Sequence, residues 1–273
     1  MKIYKIILVL IACTFISSCE DVIDVALDTA PPKLVVFASI EWKKGTSGND
    51  QKVKLTTTTA YFNPVIPTVS GATVFITNSK NTKFNFTETP NTGEYLCTDF
   101  IPQIDETYTL TVITKGETFT ATESLKSVAP ITNITQRNDG GFTGEDVEIK
   151  SFFNDPGNAD NYYIFKTKSN ISPIPSYDIF DDRFTQGNEN FGIYSNEDIK
   201  TGDNLDITLF GISKRYFEYM RKLTAIAGSS SGGPFATPSA TVRGNIINQT
   251  NSKNFALGYF NVSETDYRNY IIK

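Results

Sequence analysis

Residues 108–122 constrain this chain more than any other stretch. In Tyr108-Thr109-Leu110-Thr111-Val112-Ile113-Thr114, the Tyr, Leu and Val positions share one face and threonines fill the other. After Lys115-Gly116-Glu117 the pattern returns as Thr118-Phe119-Thr120-Ala121-Thr122. A period of two on both sides of a turn predicts a hairpin with one apolar and one polar face. One hairpin cannot bury its apolar face alone, so further strands must cover it.

The sequence supplies them at short intervals. Leu34-Val35-Val36-Phe37-Ala38-Ser39-Ile40 is nearly continuous in β-formers, as a strand buried on both faces would be. Val53-Lys54-Leu55, Thr73-Val74-Phe75-Ile76-Thr77 and Phe84-Asn85-Phe86 alternate. This spacing predicts an antiparallel sandwich, immunoglobulin-like or transthyretin-like, over residues 33–128. Ser127-Val128-Ala129-Pro130 marks the boundary to a second β-rich region, residues 129–273. There, Val147 to Phe153, Tyr162-Tyr163-Ile164-Phe165, Asp206 to Ile212 and Phe255 to Val262 read as strands. Residues 169–204, rich in Asn, Asp, Pro and Gly, read as long loops. One helix is expected near 213–227. Ser213 is its cap, Tyr216, Tyr219, Met220, Leu223, Ile226 and Ala227 are at helical spacing, and Gly228 ends it. Lys214 and Arg215 sit in its first turn, where the helix dipole disfavours cations; either they meet a partner or they have no role. The fold class expected is mainly β, a sandwich followed by a β-rich domain with one helix.

The first residues read differently. Met1-Lys2-Ile3-Tyr4-Lys5 is basic, and Ile6 to Ile11 is apolar but too short to span a bilayer. The run ends in Ile16-Ser17-Ser18-Cys19, which resembles the bacterial lipobox. Residues 1–18 are therefore expected to be a lipoprotein signal peptide, with Cys19 the lipidated residue. Acyl chains on one residue make a durable anchor, at about 0.8 kcal/mol per buried methylene. Glu20 and Asp21 follow, then Asp24 and Asp28, and residues 19–32 read as an acidic tether ending in Pro31-Pro32. Acids straight after the cysteine resemble the surface-export signal of Bacteroidota lipoproteins. The expected location is the outer membrane, lipid-anchored and facing outward. Asp28-Thr29-Ala30 resembles the O-glycosylation acceptor of secreted proteins from those bacteria, which makes Thr29 a candidate modification site.

Removal of residues 1–18 leaves 255 of 273 residues and moves the formal charge from −5 to −7. That balance argues against nucleic acid, which needs a basic face. Cys97 is then the one cysteine besides Cys19, so no disulfide forms within the domain; alternating with Tyr95, it is expected to be a buried small hydrophobe. Histidine is absent. This removes the commonest general base, zinc ligand and nucleophile partner, though not carboxylate glycosidases or Ser–Lys hydrolases. Asp155, Asn158 and Asp160 have the spacing of a calcium loop, but Pro156 interrupts it and no glutamate closes it, so an acidic turn is expected. Asp181 and Asp182 are expected to be solvated. No metal and no cofactor is expected. Loop-like aromatics, Trp42, Tyr61, Phe62, Tyr177, Phe180, Phe184, Phe191 and Phe235, would mark an interaction site if they shared a face.

Several short segments together resemble the lipoprotein family known as domain of unknown function 4249. They are Cys19-Glu20-Asp21, Lys33-Leu34-Val35-Val36, Pro67 to Val74, Gly93-Glu94-Tyr95, Asn161-Tyr162-Tyr163, Gly233 to Pro238, Gly244-Asn245-Ile246 and Leu257-Gly258-Tyr259-Phe260. The resemblance implies an outer-membrane lipoprotein that accompanies a TonB-dependent transporter barrel, and it supplies no catalytic residue. The function expected is non-catalytic: an accessory subunit for substrate capture or complex assembly. A carbohydrate- or peptide-binding module and a structural envelope-assembly component stay open.

Overall fold

The computed structural model describes residues 30–60, 62–141, 144–157, 159–227 and 242–273. Contacts divide the chain into Met1–Pro31 and Pro32–Lys273, and the second unit holds every strand and the helix of the described residues. It is mainly β, with one helix among the described residues.

The sandwich is built from β1 (Leu34–Lys43), β2 (Gln51–Thr57), β3 (Thr73–Asn78), β4 (Lys83–Thr89), β5 (Glu94–Cys97), β6 (Thr107–Thr114) and β7 (Glu117–Ser124). β4 belongs to both layers: its first half pairs with β3 and Thr87–Thr89 pair with β5. The expected hairpin is β6–β7, with Tyr108, Leu110 and Val112 buried on one arm and Phe119 and Ala121 on the other. Its turn has two residues. Lys115 and Gly116 both take positive φ, 50° and 76°, which matches the right-handed twist of the strands.

The chain then forms β8 (Ile131–Gly140), β9 (Asp146–Asn154), β10 (Tyr162–Ser169), β11 (Ser176–Asp181), β12 (Glu189–Asn196) and β13 (Asn204–Ile212). Residues 169–204 are not long loops. β11 pairs in register with β10, and β12 with β9. Their polar residues sit on exposed or half-covered edge strands, where few apolar side chains are needed. After α1 (Lys214–Ala227) come β14 (Ile247–Asn248) and β15 (Leu257–Ile271).

β15 joins the two regions. Leu257 to Thr265 run parallel to Val35 to Lys43 of β1, and Thr265 to Ile271 run antiparallel to β13. Phe260 and Val262, with Ile246 and Ala256, therefore lie in the sandwich core, although they follow residue 129 in sequence. A second core gathers Ile149, Phe153, Tyr163, Phe165, Leu205 and Leu209. Close approach fixes Gly258: its φ is +91°, and a Cβ there would stand 2.0 Å from the Val36 carbonyl oxygen.

α1 starts where expected. The Tyr216 amide donates to Ser213 Oγ at 3.1 Å, satisfying one of the free donors of the first turn. Among its described side chains Phe217 and Met220 are the buried ones, packed on Ile164, Phe210 and Ile212. The helix therefore covers the outer face of β10 and β13. Gly228 lies outside the described residues.

Candidate functional site

The sheet face that α1 leaves open forms a groove of about 480 Å³. Parallel pairing sets its floor. Phe37 lies beside Tyr259 and Ser39 beside Asn261, while their neighbours Ala38, Ile40, Phe260 and Val262 turn into the core. Tyr216, Tyr219 and Leu223 of α1 form one wall, and Ile174, Pro175 and Tyr177 the other. The Tyr259 ring lies 4.8 Å from that of Tyr216 and 4.7 Å from that of Tyr219, centroid to centroid. A smaller hollow of about 160 Å³ continues past Tyr177 and Tyr216 to Glu41 and Lys166.

The polar groups of the groove are few and fixed. The Tyr259 hydroxyl donates to the buried Glu123 at 3.0 Å. The Ser39 hydroxyl donates to Glu41 at 3.2 Å, and Lys166 stands 4.0 Å from the same carboxylate. Asn261 is 2% exposed; its amide nitrogen donates to Ser263 Oγ at 2.9 Å. Asn261 Oδ1 is buried and finds no hydrogen-bond partner among the described residues. A buried acceptor without a partner costs about 1–3 kcal/mol. Burial holds the Tyr216, Tyr219, Tyr259 and Tyr177 phenols above their ordinary value. They are protonated at neutral pH, and offer ring faces and hydroxyls rather than bases.

The other expected residues lie elsewhere. Cys19, Thr29, Tyr61, Asn158 and Phe235 lie outside the described residues. Asp155 is buried and accepts from the Tyr163 hydroxyl at 2.6 Å and from the Gly157 and Gly187 amides at 3.0 and 2.9 Å. Asp160 accepts instead from Gln186 at 2.7 Å. Asp182 is fully buried rather than solvated. It accepts from the Asn161 backbone and side chain at 2.9 and 3.2 Å, and burial raises its carboxyl above the usual range. These carboxylates pin the β9–β10 turn to the loop after β11, so their oxygens are occupied by protein donors. No group of three or more His, Cys, Asp or Glu among the described residues is placed to hold a metal ion. Cys97 is buried, and its thiol is pushed up to about 11 by burial and by Asp99.

The described aromatics among those expected to be exposed do not share one face. Phe180 stacks with Tyr163 and Phe165 beside the second core, and Trp42 packs against the first. Among the described members of that set, only Tyr177 lines the groove. The residues missed were Phe37, Ser39, Glu41 and Asn261. One signal was present: Asn261 interrupts the apolar run Leu257-Gly258-Tyr259-Phe260-Asn261-Val262, and Asn is depleted in strand interiors. Arg215 lines a separate hollow across α1, with Glu218, Lys222 and Arg243.

A family model described as "Domain of unknown function (DUF4249)" matches residues 20–268. No curated protein matches the chain. Among solved structures, a two fibronectin type-III domain segment from chicken tenascin is similar at 11% identity. The match covers 66% of this chain and 90% of that one, with a TM-score of 0.22.

Proposed function

The chain belongs to the DUF4249 family, and from that premise we propose that it is a non-catalytic, lipid-anchored binding subunit of a Bacteroidota outer membrane. In this reading Cys19 holds the lipid, the acids after it direct the protein outward, and the folded unit works beside a TonB-dependent barrel in substrate capture or assembly. One observation supports a binding role above others. The groove between α1 and the β1–β15 floor combines aromatic walls with a buried, unpartnered acceptor on Asn261. Its phenols are held neutral, so their ring faces and hydroxyls are offered for contact.

Site-specific photocrosslinking in cells tests this. A crosslinker at Leu223, on the groove wall, is expected to capture an outer-membrane barrel, whereas one at the exposed Lys83 on β4 captures none. Equal products from both positions, or none from Leu223 while Cys19 is intact, contradict the reading. The Asn261 oxygen favours one second reading, a carbohydrate or peptide whose hydroxyl or amide donates to it. Such a ligand raises Tm of the parent chain and leaves Tm of Asn261→Leu unchanged.

A further inference from the structure

The end of the sandwich at which the chain passes from Pro32 into β1 has a second unexplained surface. β2 ends at Thr57, and the backbone returns beside it at Thr68. Residues 62–68 between them are all exposed. Phe62 is 80% exposed, Val65 66% and Ile66 63%. Val65 and Ile66 put two adjacent bulky apolar side chains into water at one tip, which is costly unless something covers them.

The tip is held in shape. The Asn63 amide donates to the Ala60 carbonyl at 2.9 Å, and its side chain donates to Thr59 Oγ1 at 2.9 Å. Asn63 Oδ1 accepts from the Val65 amide at 3.0 Å. Pro64 and Pro67 restrict the backbone further, and the Pro67 carbonyl accepts from Thr57. Little conformational entropy remains to be lost on docking.

Charge surrounds the tip. The Thr58 amide donates to the Lys33 carbonyl, which places Lys33 at the root of the loop. Lys33 and Arg243 both lie over the Phe255 ring at 4.1 Å. Lys115, at the β6–β7 turn, shares a small hollow with Pro32 and Thr57. Lys253 adjoins Asn254, whose side chain engages the nearby Glu117 at 2.6 Å. Glu117 is an acid among these cations; the whole chain carries −5, so an excess of cations around apolar side chains is a local departure. The chain outside the described unit also attaches here. From Cys19 to Pro32 it reaches at most about 45 Å. A lipid on Cys19 would therefore keep this end at high effective concentration next to a bilayer.

We propose that this end of the sandwich is a membrane-contact surface. Val65 and Ile66 insert at the acyl boundary, and Lys33, Lys115, Arg243 and Lys253 face anionic headgroups. The proposal rests on the lipid-anchor reading only for proximity. The loop and its charges act in a chain that carries no lipid, so the two can fail separately.

The test uses the full mature chain with Cys19→Ser, which cannot be acylated. It is co-sedimented with vesicles of phosphatidylethanolamine and phosphatidylglycerol, and with vesicles of phosphatidylcholine alone. The expected result is binding to the anionic vesicles and much less to the neutral ones. The double variant Val65→Asp/Ile66→Asp loses about tenfold or more in partitioning. Lys115→Glu/Lys253→Glu loses the preference for anionic vesicles. Ile101→Asp, beyond the opposite end of β6 and 65% exposed, changes nothing. All of these positions are exposed, so unchanged thermal melts show that the fold is intact. Absence of binding by the parent chain overturns the proposal, as does equal binding by Val65→Asp/Ile66→Asp or an equal loss in Ile101→Asp.

Discussion

A fragment of residues 30–128 is expected not to fold. It contains every strand of the sandwich that precedes β8 and looks like a complete domain in sequence. Its core, however, is completed from the far end of the chain by Ile246, Ala256, Phe260 and Val262. Phe260 and Val262 are fully buried, and Ile246 is 7% exposed. At about 1.5–3 kcal/mol for each of these three larger side chains, the fragment forgoes about 5–9 kcal/mol. It also loses the parallel ladder from Val35 to Lys43, which leaves β1 an open edge. Domains of this size are stable by about 5–15 kcal/mol in all. The assay is circular dichroism during thermal unfolding, with amide dispersion by NMR. The fragment should show neither a cooperative transition nor native dispersion. In the full chain, Phe260→Ala should cost about 3–5 kcal/mol in urea unfolding and still give a single transition. A fragment that melts cooperatively near the temperature of the full chain would refute the reasoning.

Three further outcomes follow from particular contacts. Tyr259→Phe removes a hydroxyl that donates to the buried Glu123. It should cost about 2 kcal/mol in urea unfolding, with a smaller loss when Glu123→Gln is already present. Gly258→Ala forces a Cβ against the Val36 carbonyl at positive φ; a loss of about 3 kcal/mol or more, or failure to fold, is expected by the same assay. Alkali should destabilise the fold. Burial raises Cys97 from 9.0 to about 11 and Tyr108 from 10.0 to about 12. The fold favours the protonated forms, so their contribution is complete below the unfolded values and is lost as pH rises through the folded ones. Cys97 alone should account for about 2 kcal/mol by about pH 11. The fall in urea midpoint should shrink in Cys97→Ala.

What was legible in the sequence was local. The β6–β7 hairpin declares itself by strict alternation, α1 by Ser213 and its apolar spacing, and Cys97 by its register with Tyr95. β11 and β12 were hidden because edge strands need only one apolar face, so turn-forming residues mask them. The parallel pairing of β1 with β15 joins residues more than two hundred positions apart, and no local period encodes such a contact. The groove was hidden for the same reason. Ser39, Tyr177, Tyr219 and Asn261 come from four separate segments. Only the polar Asn261 within an apolar strand hinted at it. The acids around residue 155 show the reverse: a ligand-like spacing became a hydrogen-bonded pin, because Tyr163 and Asn161 reach those carboxylates.

The central claim, a lipid-anchored subunit that works beside a transporter barrel, is tested most directly by gentle-detergent purification of the tagged full-length chain. Mass spectrometry then reads its partners and the modification of Cys19, with Cys19→Ala alongside. The account predicts a lipidated Cys19 and a co-purifying TonB-dependent barrel that is lost from the Cys19→Ala preparation. An acylated chain recovered repeatedly without any barrel would contradict it.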